Sequence, residues 1–118
     1  DYAGSTLTRA QRRTLKTLRN TIRDHLTEDD FTGTVRDLQG NPIPKSWGGF
    51  FDHRGEMITS YTTLLDLKES LEGSLRNPNL TKENREILQE GLDLANEYLE
   101  RIEGVFEPYG GIEEWIKK

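Results

Sequence analysis

Residues 57–106 read MITSYTTLLDLKESLEGSLRNPNLTKENREILQEGLDLANEYLERIEGVF, two apolar patterns separated by one break. Met57, Tyr61, Leu64, Leu65, Leu71 and Leu75 recur at helical spacing, and Leu88, Leu92, Ala95, Leu99, Ile102 and Phe106 repeat in steps of three and four. Asn77-Pro78 stops the first pattern, because proline fixes φ and lacks a backbone donor. Thr81 then offers a hydroxyl to the free N–H groups of a new helix. Two amphipathic helices joined by so short a turn predict an antiparallel hairpin. The fold class expected is mostly α, a small bundle of four to five helices with an irregular central loop.

Working outward toward the N-terminus, Asp52 is placed to cap the helix that carries Met57. Before it, Gly40 to Asp52 is a loop, since Pro42 and Pro44 exclude helix there, with room for a short β-hairpin around Ser46-Trp47-Gly48-Gly49-Phe50-Phe51. Thr27 followed by Glu28, Asp29 and Asp30 suits a helix start, acids being favoured at the positive helix end. Phe31, Val35 and Leu38 then give a short helix that Gly40 ends. The first helix is expected from Ser5 or Thr6 to Leu26, with Leu15, Leu18, Ile22 and Leu26 on its core face. Past Phe106, Pro108-Tyr109-Gly110-Gly111 breaks the pattern before a last turn with Ile112, Trp115 and Ile116.

The 118 residues make one domain, and Leu, Ile, Val and Phe fill 28 of them, enough for a small core. No run approaches the roughly 18 apolar residues of a membrane-spanning helix, and no signal peptide opens the chain. A chain that starts at Asp1 is expected to be part of a longer protein. With no cysteine, disulfides, thiolate nucleophiles and Cys-based metal sites are excluded. The net charge of −5 hides an asymmetry, because residues 1 to 27 carry +4 and the remainder −9. Arg9, Arg12, Arg13, Lys16, Arg19 and Arg23 fall within an arc of about 120° on a helical wheel, apart from the leucine arc. Such a face is either an ordinary solvated one or a stripe that binds phosphate. The acidic remainder would orient nucleic acid toward it, or present a surface to a basic protein.

Chemistry concentrates between Gly40 and Glu56. His53 falls in the first turn of a helix, beside Asp52 and three residues before Glu56, so carboxylates can orient its imidazole for proton transfer. The alternative is a surface histidine with incidental acidic neighbours. His25, at the edge of the first helix's apolar face, is either a core or boundary histidine or turned toward the central loop, and Arg36 lies one turn before that loop. Neither Gly-Gly pair is followed by the Lys-Ser/Thr of a phosphate loop, no spacing matches a zinc or calcium site, and no nucleophile turn is present. Neither a metal nor another cofactor is expected.

The segments HLTEDD, RDLQGNPIP, GGFFDHRGE and NPNL carry His25-Leu26-Thr27, Asp30, Arg36-Asp37-Leu38, Gly40, Pro42, Gly49, Phe51-Asp52-His53, Glu56, Leu80 and Thr81. In order and spacing they resemble the type 28 toxin domain of bacterial polymorphic toxins, over roughly residues 25–107, about 70 % of the chain. The long basic helix before His25 and Trp47 within the loop depart from the common pattern. The resemblance divides the single domain into a basic N-terminal helix (1–24), a family-like region (25–107) and a C-terminal extension (108–118). It implies a metal-independent ribonuclease borne at the C-terminus of a secreted or contact-dependent growth-inhibition protein and acting in the target-cell cytoplasm. It implies transfer RNA as substrate, a cognate immunity protein, and for some members engagement of translation elongation factors Tu and Ts. Such an enzyme needs a base for the ribose 2′-hydroxyl, an acid for the leaving 5′-oxygen and a cation for the phosphorane. The expected catalytic set is His53, His25, Arg36, Asp52 and Glu56. The expected RNA contacts are Arg9, Arg12, Arg13, Lys16, Arg19, Arg23, Lys45, Trp47 and Arg54. Two other readings stay open: a non-catalytic helical module that binds nucleic acid or protein, and a metal-dependent nuclease acting on DNA.

Overall fold

Local capping chemistry sets where each helix begins. The structure, a computed structural model, describes residues 6–117 and holds α1 (Arg9–His25), α2 (Glu28–Leu38), α3 (His53–Leu75), α4 (Lys82–Phe106) and α5 (Ile112–Ile116), with a 3-10 turn at Glu107–Tyr109 before α5. Thr27 Oγ1 accepts from Asp30 N at 3.3 Å while Asp30 Oδ2 accepts from Thr27 N at 3.0 Å, a reciprocal cap for α2. Thr81 Oγ1 accepts from Asn84 N at 3.1 Å to open α4. The start of α1 differs from the one expected. Thr8 and Gln11 exchange the same pair of bonds at 3.0 and 2.9 Å, so the helix opens at Arg9; Thr6 precedes it and Ser5 lies outside the described residues. Ahead of that cap, Leu7 is buried and its carbonyl accepts from Arg12, while Asn84 of α4 donates to Thr6.

Helices α3 and α4 run antiparallel, as the Pro-containing turn predicts. Tyr61, early in α3, donates to Glu103 Oε2, late in α4, at 2.5 Å. At the other end, Arg85 donates to the Leu75 and Asn77 carbonyls at 3.0 and 2.9 Å. Met57, Leu64, Leu71, Leu88, Ala95, Ile102 and Phe106 form the buried seam, and Leu15, Leu18 and Leu26 of the α1 segment pack onto it. Close approach of α1 to α4 depends on Gly91, where a Cβ would stand 2.6 Å from Leu15 Cδ2. Arg101 of α4 lies 3.9 Å over the Phe31 ring and pairs with Glu28 at 2.7 Å, fastening α2 to the hairpin.

The core differs from the expected one in places. Leu65 and Ile116 are exposed, and Leu67 is buried in addition to the expected α3 set. On α2, Phe31 and Leu38 are buried, Val35 is only half-buried, and Gly33 and Thr34 face inward instead. The hairpin in the central loop is a single antiparallel bridge between Pro44 and Phe50, with Lys45 N to Gly49 O at 3.0 Å and Phe51 N to Ile43 O at 2.9 Å. Gly48 and Gly49, at φ +106° and +75°, turn the chain inside it. Among the described residues there is no strand.

Candidate active site

The first turn of α3 is gripped by α2. His53 is the first residue of α3, and its ring lies flat against Gly33, where a Cβ would come within 2.4 Å of His53 Cγ and 2.5 Å of Nδ1. Thr34 Oγ1 donates to Asp30 O at 2.8 Å and reaches His53 O at 3.3 Å. One turn further along α2, Asp37 Oδ2 accepts from Arg54 N at 2.8 Å. Phe51 closes the loop side, its ring centroid 5.4 Å from the imidazole. The result is a half-buried histidine fixed from both sides, with Nδ1 fully buried.

Asp52 caps α3 as its position predicts, accepting from Gly55 N at 2.9 Å. Gly55 carries no Cβ because the Asp52 carboxylate occupies that space, 2.2 Å from where one would stand. The Arg54 and Gly55 amides are thus taken by two carboxylates, and the Glu56 amide by the Asp52 carbonyl at 3.2 Å.

His25 is exposed, which removes the core-histidine reading, and it turns to α3 and not to the central loop. It lines a groove of about 270 Å³ with Thr21 of α1 and Glu56, Thr59, Ser60 and Thr63 of α3. An imidazole, a carboxylate and four hydroxyls thus face one groove. On the loop side a second groove, also about 270 Å³, is lined by Asp37, Pro42, Phe50, Phe51, Asp52 and Arg54. The expected catalytic residues therefore divide. His53, Asp52 and Glu56 share one helical turn, His25 meets Glu56 across one groove, and Arg36 holds the loop base through Nε to Asn41 O at 3.0 Å.

The expected RNA contacts also divide. Arg9, Arg12, Arg13, Lys16, Arg19 and Arg23 are all exposed on α1, opposite Leu15, Leu18 and Thr21. Arg23 is matched by Asp24 at 2.8 Å, and that guanidinium holds the Asp24 carboxyl below its ordinary range. In the loop, Trp47 is 77 % and Phe50 61 % exposed, so these rings stand in solvent. Lys45 places its ammonium 5.5 Å from the Phe51 centroid and 5.9 Å from that of Trp47. Arg54 leans on Trp115 of α5, 5.0 Å from its ring. Sequence reasoning passed over Gly33, Asp37 and Phe50. A glycine inside an otherwise periodic helix was the available signal for the first, since it weakens a helix unless something packs against it.

Residues 6–108 match the model of a family described as bacterial toxin 28. The chain belongs to the bacterial toxin 28 family. The match begins ahead of α1 and runs through the central loop and α4 into the 3-10 turn, so the cationic helix and the His53 turn both lie inside it. Over 104 residues, 88 % of this chain, the toxin domain is 30 % identical to the tRNA nuclease CdiA of Escherichia coli O6:K15:H31 (strain 536 / UPEC). The chain spans about 3 % of that relative's length. No helix among the described residues is long and apolar enough to cross a membrane.

Proposed function

We propose that this toxin 28 domain is an endoribonuclease that cuts transfer RNA without a metal, leaving a 2′,3′-cyclic phosphate and a 5′-hydroxyl. The observation that carries the reading is the fixation of His53. An imidazole held flat on Gly33 and walled by Phe51 keeps its place through a reaction, which is what a proton-transfer group must do. The relative's activity supports the same substrate class. In this mechanism one histidine takes the proton of a ribose 2′-hydroxyl. The 2′-oxygen attacks phosphorus, and the 5′-oxygen leaves with a proton from an acid. His53 and His25 are the two proton carriers, Glu56 in the His25 groove supports the exchange, and Arg36, which donates to the loop at Asn41 O, is the guanidinium for the phosphorane charge. The α1 cations and the loop residues Lys45, Trp47 and Arg54 receive backbone and bases.

The domain would be delivered by a longer cell-surface protein and act in the target-cell cytoplasm. A dedicated immunity protein would restrain it in its producer, and elongation factors Tu and Ts are candidate helpers. Total RNA and DNA incubated with the protein, with and without EDTA and a cytosolic extract, test the reading. Cleavage of transfer RNA in EDTA is expected. Cleavage that EDTA abolishes, or that falls on DNA alone, overturns the metal-free ribonuclease, and activity only with extract assigns a host factor.

A further inference from the structure

Two buried polar atoms at the α2–α3 junction have no hydrogen-bond partner, His53 Nδ1 and Asp37 Oδ1. Buried polar groups are almost always paired, so each such orphan asks for an explanation. These two are chemically complementary, because a carboxylate only accepts and an Nδ1–H tautomer donates. They also share one place. Gly33, beneath the His53 ring, and Asp37 are four residues apart on one face of α2. The other Asp37 oxygen already binds the amide of Arg54, the residue next to His53.

Asp52, the nearer acid in sequence, is occupied differently. Its carboxylate caps Gly55 N and fills the space beside that glycine, so it is committed to the helix start.

We propose that Asp37 is the positioning residue of the active site. Its Oδ1 accepts the His53 Nδ1 proton, directly after a small rotation of the carboxylate or through one trapped water, and so leaves Nε2 as the nitrogen that meets RNA. A buried carboxylate in that place fixes the ring tautomer and stabilises the imidazolium formed during proton transfer, the same logic by which a third group orients a general base. Asp37 touches no reacting atom; it acts through His53. The assignment rests on the ribonuclease reading for its catalytic consequence, whereas its structural part stands by itself.

The experiment therefore has two arms. Long-range proton–nitrogen NMR of the whole chain, labelled at histidine, reads which ring nitrogen carries the proton in the neutral form. His53 is expected as the Nδ1–H tautomer in the parent and with substantial Nε2–H in Asp37→Asn, which keeps an oxygen for Arg54 N and should fold. Asp52→Asn should leave the His53 tautomer unchanged. In the second arm, Asp37→Asn should lower cleavage about 100-fold in the parent and by less than threefold when His53 is already alanine. A tautomer that ignores Asp37→Asn overturns the assignment, even in a protein that cuts RNA. A tautomer that responds in a protein that cuts nothing upholds the assignment and sinks the ribonuclease reading instead.

Discussion

Gly33→Ala separates the demands of stability from those of the site. Gly33 is helical and buried, so the change should favour α2 by about 1 kcal/mol through backbone propensity alone. Against that, the new Cβ would lie 2.4 to 2.6 Å from three atoms of the His53 ring, far inside contact distance. Overpacking of this kind costs about 1–3 kcal/mol, and the net effect is a destabilisation of up to about 2 kcal/mol. At about 4 °C per kcal/mol for a domain of this length, Tm should fall by no more than about 8 °C. The ring must move by an ångström or more, and such displacement of the proposed proton-transfer group should lower the rate by about 100-fold. Gly104→Ala is the control. It sits on α4, with nothing within 4 Å of a Cβ, so Tm should rise by up to about 4 °C from propensity alone, with cleavage unchanged. Thermal melts by circular dichroism and initial rates on transfer RNA measure both. A Gly33→Ala protein that gains stability as Gly104→Ala does, and cuts at the parental rate, would refute the packing of the His53 ring against α2.

Other expectations follow from the same geometry. Replacing Arg9, Arg13 and Lys16 together by Gln should reduce the log–log salt slope of RNA binding by roughly 2, at about 0.7 for each single-strand phosphate that is no longer neutralised; Arg12 is left in place because it donates to the Leu7 carbonyl, and an unchanged slope returns the face to ordinary solvation. His53→Ala should stay folded but melt below the parent, because the ring packed between Gly33 and Phe51 is lost, and should lose about 10²–10⁴ in cleavage rate; parental cleavage by a folded variant would end the proposal for that residue. Asp52→Ala should destabilise by about 1 kcal/mol through loss of the α3 cap while Asp52→Asn, itself a good cap, should not; equal melting of all three proteins would remove Asp52 from the cap. Burial first, then the Glu103 hydrogen bond, raises the Tyr61 phenol above its usual value. The folded chain therefore keeps that proton where the unfolded chain releases it. Stability from Tyr61 is complete below pH 10 and declines above it, by up to about 1.4 kcal/mol per pH unit. Tyr61→Phe should flatten that alkaline decline in denaturant melts, and parallel curves for the two proteins would contradict it.

What the sequence disclosed was local chemistry. Thr27, Asp52 and Thr81 are helix caps because hydroxyl and carboxylate oxygens reach amides two or three residues away, a relation visible in any short window. Thr8 escaped for a related reason. Four hydroxyl residues, Ser5, Thr6, Thr8 and Thr14, flank or enter the first basic run, and only the Gln three residues after Thr8 completes a reciprocal cap. The halves of α1 were legible as a wheel, since the period alone separates Leu15 and Leu18 from the arginines. The site was legible only in part. His53 stood out because imidazoles are scarce here, and Arg36 does reach the loop base. The destination of His25 depends on which face of α3 the end of α1 meets. The roles of Gly33 and Asp37 depend on packing against residues 17 to 20 positions later in the chain. A glycine within the α2 pattern hints that something packs there, but spacing along one helix does not say what.

The composition of α2 makes more sense as a holder of the imidazole than as a piece of core. An eleven-residue helix that served packing alone would present a continuous apolar stripe, and α2 buries only Phe31 and Leu38 of that kind. Between them its inward face carries Gly33, Thr34 and, one turn on, Asp37, the three residues that meet His53 and Arg54. Each lowers the stability α2 would otherwise have: glycine by about 1 kcal/mol in helix propensity, threonine by its branched stiffness, and Asp37 by a carboxylate near the negative helix end with one oxygen taken out of water. Stability is recovered at the rim, where Arg101 covers Phe31 and pairs with Glu28, and Thr27 and Asp30 cap the helix. A fold that weakens one helix along the line of a single histidine, and ties that helix down everywhere else, has been arranged around the position of that ring.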